Sequence, residues 1–189
     1  MPDRHLSDEV LLQSCCKGDR SMQFELYTRF AKKMMGVCRR YTSSKMDAED
    51  QLQDSFVLVF KNLSQFKGGS LEGWIRRIVV NQCIGYFRKR KKQAVWLSDF
   101  NEVAEERIGI EESAWIEKVN AEQLMVWVNN LPLGARTVFN LAAIEGFQHH
   151  EIAIMLNIAE SASRSQLARA RQAMQKMYNQ TMRQIEYGK

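Results

Sequence analysis

The stretch HHEIAIMLNIAESASRSQLARARQAMQKM, residues 149–177, has the pattern of two helices separated by a short turn. In residues 151–156, apolar side chains recur at spacings that give a short helix one buried side. Asn157 follows, and asparagine tolerates the left-handed backbone conformation that often ends a helix. Glu160 and Ser161 then begin a second helix, with an acid near its positive end and a hydroxyl available as a cap.

The second predicted helix has two different faces. Its apolar stripe consists of Leu167, Ala170, Met174 and Met177. Its other face carries cations and hydrogen-bonding groups but no acid, and consists of Arg164, Ser165, Ala168, Arg169 and Gln172. Arginine pairs with phosphates and guanine edges, and serine and glutamine reach other groups. This is the layout of a DNA-binding helix-turn-helix, although a solvated basic face on an ordinary helical hairpin would show the same pattern.

The composition indicates an all-α protein with one large or two small domains. The chain has 189 residues, a net charge of +5 and 45% hydrophobic residues, and only two prolines and ten glycines interrupt its patterns. Strand-like alternation is scarce. The positive charge is moderate in total but clustered, and clustering matters more than the total for a polyanionic partner.

Four cysteines, Cys15, Cys16, Cys38 and Cys83, lie inside apolar helical patterns. No CxxC or Cys/His spacing indicates zinc, and adjacent cysteines are poor disulfide partners, so buried thiols in a reducing compartment are expected. The N-terminus lacks the apolar run of a signal peptide, and no apolar run reaches membrane-spanning length. We therefore expect a cytoplasmic protein without membrane insertion, metal or other cofactor.

Three helices with recognisable starts are predicted before residue 64. Ser7, Ser21 and Asp47 stand where hydroxyl or carboxylate caps are expected. The second of these helices runs to about Tyr41. Its predicted buried side consists of Phe24, Tyr27, Phe30, Ala31, Met34, Met35 and Cys38.

The third helix carries more apolar surface than one packed side needs. Its core stripe consists of Leu52, Phe56, Val59, Phe60 and Leu63. Val57 and Leu58 widen the apolar zone beyond that stripe. Either a neighbouring helix covers them, or they belong to a protein-docking surface, and the pattern favours neither.

Ser70 is expected to cap a long basic helix that runs to about Lys92. Its cations are Arg76, Arg77, Arg88, Lys89, Arg90, Lys91 and Lys92. Asn81, Tyr86 and a Gly68-Gly69 loop accompany them. Cations mixed with aromatic and amide side chains favour nucleic acid, especially single strands. A plain basic helix end is the alternative.

Residues 93–118 are predicted to be an acidic linker between domains at 1–92 and 119–189. Between residues 98 and 117 there are seven acids against one cation, and helical periodicity is poor. After the linker, Pro132 suits a first helical turn, and Gly146 ends the following helix. The polar tail from Tyr178 is expected to fray.

Three blocks of sequence resemble the extracytoplasmic-function (ECF) sigma factors of bacterial RNA polymerase. They are DAEDQLQDSFVLVF at 47–60, FKGGSLEGWIRRIVVNQCIGYFRKRKK at 66–92, and LPLGARTVFNLAAIEGFQHHEIAIMLNIAESASRSQLARARQAM at 131–174. One helix-turn-helix would be weak evidence. All three blocks in the family's order and spacing are specific.

The resemblance implies that the first domain docks on the clamp helices of core RNA polymerase and opens the minus-ten element. The implied polymerase contacts are Asp50, Gln53, Asp54 and Val57. The implied minus-ten contacts are Phe66, Lys67, Ser70, Trp74, Arg76, Arg77, Asn81, Arg88 and Arg90. Asn81 would line the pocket for a flipped base, whose unstacking costs a few kcal/mol.

The resemblance also implies that the second domain reads the minus-thirty-five element as duplex and meets the polymerase flap. The implied contacts are Arg164, Ser165, Gln166, Ala168, Arg169 and Arg171. An anti-sigma factor is a further implied partner. Many members have Gly-Thr-Val where this chain has Ser161-Ala162-Ser163, and a larger residue at Ala168, so the promoter sequence is not implied.

The sequence is also compatible with two other functional classes. A stand-alone transcriptional regulator would use the helix-turn-helix alone and bind a specific duplex without polymerase. An enzyme would need more than the sequence offers. His149 and His150 stand next to Glu151, but adjacent histidines point in different directions on a helix, and no third metal ligand is evident. Among the acids Asp47, Glu49, Asp50 and Asp54, helix capping explains the first three.

Overall fold

A computed structural model describes residues 7–93 and 119–187, and all regular structure in these ranges is helical. The α-helices are α1 (Asp8–Cys16), α2 (Arg20–Tyr41), α3 (Lys45–Asn62), α4 (Leu71–Gln93), α5 (Ala121–Asn129), α6 (Leu133–Phe139), α7 (His149–Leu156) and α8 (Glu160–Tyr187). The predicted all-α class is confirmed. Apart from Gln93, which ends α4, the predicted acidic linker lies outside the described residues.

The chain divides into two compact units, and the division falls between Phe87 and Arg88, within the last turns of α4. The first unit contains α1, α2, α3 and most of α4, and the second contains α5 to α8. The predicted domain limits at residues 92 and 119 remain predictions. Within residues 7–93 and 119–187, none of the helices combines the length and the hydropathy that a membrane crossing requires.

The core of the first unit forms where α2 packs against α3. The rings of Tyr27 and Phe56 meet edge to face with centroids 4.7 Å apart. Around them the buried side chains include Leu26, Phe30, Met34, Leu52, Phe56, Val59, Ile75 and Val79. Because burying one such side chain contributes about 1.5–3 kcal/mol, this layer accounts for much of the unit's stability.

Two of the predicted helix caps are wrong. The Asp19 carboxylate, not Ser21, caps α2 and accepts hydrogen bonds from the backbone N–H groups of Ser21 at 2.9 Å and Met22 at 3.3 Å. Ser44, not Asp47, caps α3, since its hydroxyl accepts from the Asp47 N–H at 3.0 Å. The hydroxyl of Ser44 also donates to the Asp47 carboxylate at 2.6 Å. Both helices therefore begin earlier than predicted.

Two residues predicted to be buried are exposed. Phe24 is 71% exposed, because the buried side of α2 is centred on Leu26, Phe30 and Met34 and does not extend to it. Cys16 is exposed at the end of α1, whereas Cys15, Cys38 and Cys83 are buried. A hydrogen bond between the Cys38 and Cys83 thiols, and then burial, raise the pKa of Cys83 far above its usual range.

The second unit is built around α8. Leu141, Ile152, Leu156, Ala170 and Met174 are fully buried between α8 and the helices that precede it. Further along, Tyr178 meets the ring of Trp127 in α5 edge to face, with centroids 6.2 Å apart. The helix continues to Tyr187, so the prediction of a frayed tail from Tyr178 is wrong for the described residues.

A π-helical segment at Asn140–Ile144 continues α6 toward the helix-turn-helix. It closes with a hydrogen bond from the Glu145 N–H to the Asn140 carbonyl at 2.9 Å. Gly146 then adopts a positive φ of 78°, as expected of a residue that ends a helix. Pro132 was expected in the first turn of a helix. It instead directly precedes α6, which begins at Leu133.

Candidate nucleic-acid and polymerase interfaces

The turn between α7 and α8 is fixed at both ends. Glu151 accepts a hydrogen bond from the Gln148 N–H at 2.7 Å, which holds the start of α7. At the end of α7, Asn157 adopts the predicted left-handed conformation with φ 52°. The Ile158 N–H then bonds back to the Ala153 carbonyl at 3.0 Å. The chain therefore enters α8 in one defined direction, as a DNA-reading helix requires.

A side-chain contact also ties α7 to α8. His149 Nδ1 and Ser163 Oγ lie 2.9 Å apart and share a hydrogen bond. Ser163 is fully buried. Burial first, and then the charges of Arg164 and Arg171, lower the pKa of His149 against the opposing influence of Glu160. This pairing could not be predicted from the sequence, because fourteen positions separate the two residues.

The recognition face comprises Arg164, Ser165, Ala168, Arg169 and Gln172, and the structure leaves all five at least partly exposed. Arg171 is exposed beside this face. Arg164 pairs with the Glu160 carboxylate one turn earlier, which orients the guanidinium at the start of α8. The Ser165 hydroxyl donates to the Ser161 carbonyl at 3.0 Å. Ser161 therefore lies inside the first turn of α8 and does not show the predicted capping contact.

Gln166 does not lie on the recognition face. It is 3% exposed and sits on the packed side of α8. Its amide therefore lies away from any duplex that meets Arg164, and the predicted base contact does not fit this position. The sequence pattern missed this because a glutamine on a basic helix is usually solvated.

The loop before α4 is held by its aromatic residues and by its cap. The rings of Phe66 and Trp74 meet edge to face with centroids 5.7 Å apart. Ser70 accepts a hydrogen bond from the Gly73 N–H at 3.1 Å, so the predicted cap is confirmed. Gly68 and Gly69 have φ values of 103° and 89°, a conformation that favours glycine. Lys67 is exposed on this loop.

Four of the predicted minus-ten residues share one face of α4. Trp74, Arg77, Asn81 and Arg88 follow one another at steps of three, four and seven, which place side chains on one side of a helix. Trp74 is half-buried and the other three are exposed. This α4 face combines a ring, an amide and two guanidinium groups, the mixture that holds a single strand.

Arg76 and Arg90 lie off the α4 face. Arg76 is half-buried and, one residue before Arg77, points about 100° away around the helix. Arg90 is exposed, but it follows Arg88 by two residues and points about 200° away. The sequence pattern groups all of these cations together, whereas the half-burial of Arg76 and the helical spacing of Arg90 set these two apart from Arg77 and Arg88.

One exposed stripe along α3, the α3 stripe, contains the four predicted polymerase contacts, Asp50, Gln53, Asp54 and Val57, together with Met46. Val57 is 51% exposed, so no neighbouring helix of the first unit covers it. Met46 is 71% exposed and extends the stripe by one turn, although the sequence did not single it out. The Gln82 amide donates to the Asp54 carboxylate at 3.3 Å, which links the α3 stripe to α4.

Within residues 7–93 and 119–187, no cluster of three His, Cys, Asp or Glu side chains could hold a metal ion. His149 is hydrogen-bonded to Ser163, while His150 is exposed. The first of the acids on α3, Asp47, is bonded to the capping Ser44.

Comparison with known proteins places a family region on each unit. Sigma-70 region 2 matches residues 26–93, and Sigma-70, region 4 matches residues 121–174. The ECF RNA polymerase sigma-E factor of Salmonella typhimurium is 28% identical over 181 residues, covering 89% of this chain and 93% of that protein.

A second relative, the ECF RNA polymerase sigma factor SigE of Mycolicibacterium smegmatis, is 28% identical over 152 residues, or 79% of this chain. The match spans 59% of that protein, less than two thirds of its length. A solved structure of the sigma factor RpoE with the anti-sigma factor NepR from Bartonella quintana has a TM-score of 0.47 and 20% identity, over 82% of this chain and 95% of that one. With region 2 followed by region 4, the chain belongs to the ECF sigma factors, which direct bacterial RNA polymerase to promoters.

Proposed function

We propose that this sigma factor divides its work between three surfaces: the α3 stripe for polymerase, the α4 face for the opened minus-ten strand, and the recognition face of α8 for the minus-thirty-five duplex. The observation that carries the proposal is the exposure of these three surfaces on helices whose opposite sides are packed. A stand-alone regulator would not need the first two.

The α3 stripe suits a protein partner because it joins apolar and acidic groups. Met46 and Val57 can be buried against apolar groups, while Asp50 and Asp54 can pair with cations at the rim of the contact. Complete burial of a fully exposed valine contributes about 1.5–3 kcal/mol, so burying the exposed 51% of Val57 contributes roughly half of that to affinity. We assign this stripe to the clamp helices of core polymerase.

The α4 face suits a single strand and the recognition face suits a duplex. On α4, rings and an amide accompany the cations, so unpaired bases can stack and bond there. On α8, small side chains lie between the cations, so the helix can enter a major groove. We assign no catalytic step and no cofactor to the chain, place it in the cytoplasm with the polymerase, and include the flap and an anti-sigma factor as partners.

The test is association of the full chain with purified bacterial core RNA polymerase by size-exclusion chromatography. We expect co-elution of the wild type and its loss in Asp54→Lys and Val57→Asp. Phe24→Asp is the matched control, since it also replaces an exposed apolar side chain by an acid, but on α2. Failure of the folded wild type to co-elute would contradict the proposal, as would equal loss in the control.

A further inference from the structure

The cationic side of α8 does not end with the recognition face. A distal face of Gln175, Lys176, Asn179, Gln180 and Arg183 follows it, and together with Gln172 these residues line a shallow surface groove. No acidic residue occurs anywhere between residues 161 and 183. The sigma region 4 match ends at residue 174, so the distal face lies beyond it.

Packing on the opposite side fixes the direction of the distal face. Ala170 and Met174 are fully buried, and Tyr178 packs on Trp127. Arg164, Ala168, Gln172, Lys176, Asn179 and Arg183 recur at steps of three and four, which keep side chains on one side of a helix. The recognition face and the distal face are therefore one continuous surface.

This surface is longer than the major groove of DNA is wide. Lys176 is twelve residues beyond Arg164, a distance of about 18 Å along the helix, and Arg183 is about 28 Å away. The major groove is about 12 Å wide. A helix that reads base edges with its N-terminal turns therefore carries Lys176 and Arg183 past the groove, toward the phosphates that border it.

Resting on the assignment of the recognition face to the minus-thirty-five duplex, we propose that Lys176, Asn179 and Arg183 form a second DNA contact on the sugar–phosphate backbone beside that element. The ligand is a row of phosphates, for which two ammonium or guanidinium cations and a neutral amide donor are suitable partners. Such a contact adds affinity without sequence information, so its signature is salt dependence.

The experiment uses the complex of the full chain with core polymerase. A random duplex library first yields the sequence that the wild-type complex selects. Binding of that duplex, with flanks of about one helical turn (~10 base pairs) on each side, is then measured against salt concentration. The variants are Lys176→Gln, Arg183→Gln and both together. Gln184→Glu is the matched control, because it lowers the net charge by the same one unit, by adding an acid, at the neighbouring, exposed position about 100° further around α8.

We expect each of the two substitutions to reduce the slope of log K against log salt by about 1, and the pair by about 2. The selected sequence should stay the same, Gln184→Glu should keep the wild-type slope, and removing one flank should abolish the difference between the pair and the wild type. An unchanged slope in the pair would overturn the inference and leave the proposed function intact. If the wild-type complex selected no sequence, the recognition assignment would fail first, and this inference with it.

Discussion

His149 Nδ1 lies 2.9 Å from Ser163 Oγ, so the first residue of α7 is bonded to the buried side of the helix proposed to read DNA. The contact therefore joins α7 to α8 at a second place besides the turn at Asn157. We expect Ser163→Ala and His149→Ala each to destabilise the second unit, since the first leaves the half-buried imidazole and the second the fully buried hydroxyl unpaired, at a cost of about 1–3 kcal/mol.

The measurement for these two variants is hydrogen exchange of the α7 and α8 amides. Protection should fall in the second unit and stay at the wild-type level in α2 and α3, which provide an internal control in the same sample. Wild-type protection across α7 in both variants would show that the hydrogen bond contributes nothing.

The lowered pKa of His149 predicts that the stability of the second unit depends on pH. Burial lowers the pKa of His149 in the folded chain below its ordinary value of 6.5, so the unfolded chain binds the proton more tightly. The associated stability is therefore complete above about pH 6.5 and is lost as the pH falls from there toward the lower folded pKa. We therefore expect the second unit to have a lower thermal midpoint at pH 5.5 than at pH 7.5.

His149→Gln isolates this contribution, because glutamine can still bond to Ser163 but does not titrate. Its thermal midpoint should fall less than that of the wild type over the same pH range. Identical pH profiles for the two proteins would show that other groups cause the dependence.

Arg164 and Gln166 should respond in opposite ways to substitution. Arg164→Gln removes an exposed guanidinium from the recognition face, so we expect a loss of about 1–3 kcal/mol in duplex binding and a relaxed preference at one base pair. Gln166→Ala removes a buried amide and should lower stability while the selected sequence stays the same. Sequence selection by the polymerase complex tests both, and a new base preference in Gln166→Ala would contradict the placement of that side chain.

Arg88 and Arg90 provide a matched pair on α4. Both arginines are exposed, but only Arg88 shares a face with Trp74 and Asn81. We expect Arg88→Gln to slow promoter opening several-fold, because the displaced strand loses a phosphate contact, and Arg90→Gln to change it little. Permanganate reactivity of unpaired thymines in the polymerase complex measures the opening. Equal effects would show that total charge, and not the α4 face, holds the strand.

Local chemistry predicted several features of the fold correctly. Asn157 could be placed in the left-handed turn because asparagine tolerates that conformation, and Ser70 could be identified as a cap because a helical pattern follows it directly. The start of α2 was misplaced because Asp19 and Ser21 are both good capping residues two positions apart. The π-helical segment at Asn140–Ile144 has no pattern that separates it from an α-helix.

The candidate sites were predicted only as sets of side chains. The sequence drew attention to Val57 as surplus apolar surface, and its exposure in the structure explains the surplus. It could not show that Gln166 is buried or that Arg76 is half-buried, since both depend on where neighbouring helices pack. Phe24 was misassigned for the same reason.

The continuity of α8 makes its length as important as its composition. Two contacts fix the rotation of α8 about its own axis: Tyr178 packs on Trp127, and Ser163 is hydrogen-bonded to His149. Inserting or deleting one residue between these anchors would turn one end by about 100° relative to the other. Relatives of this chain should therefore tolerate changes of side chain in this interval far better than changes in its number of residues.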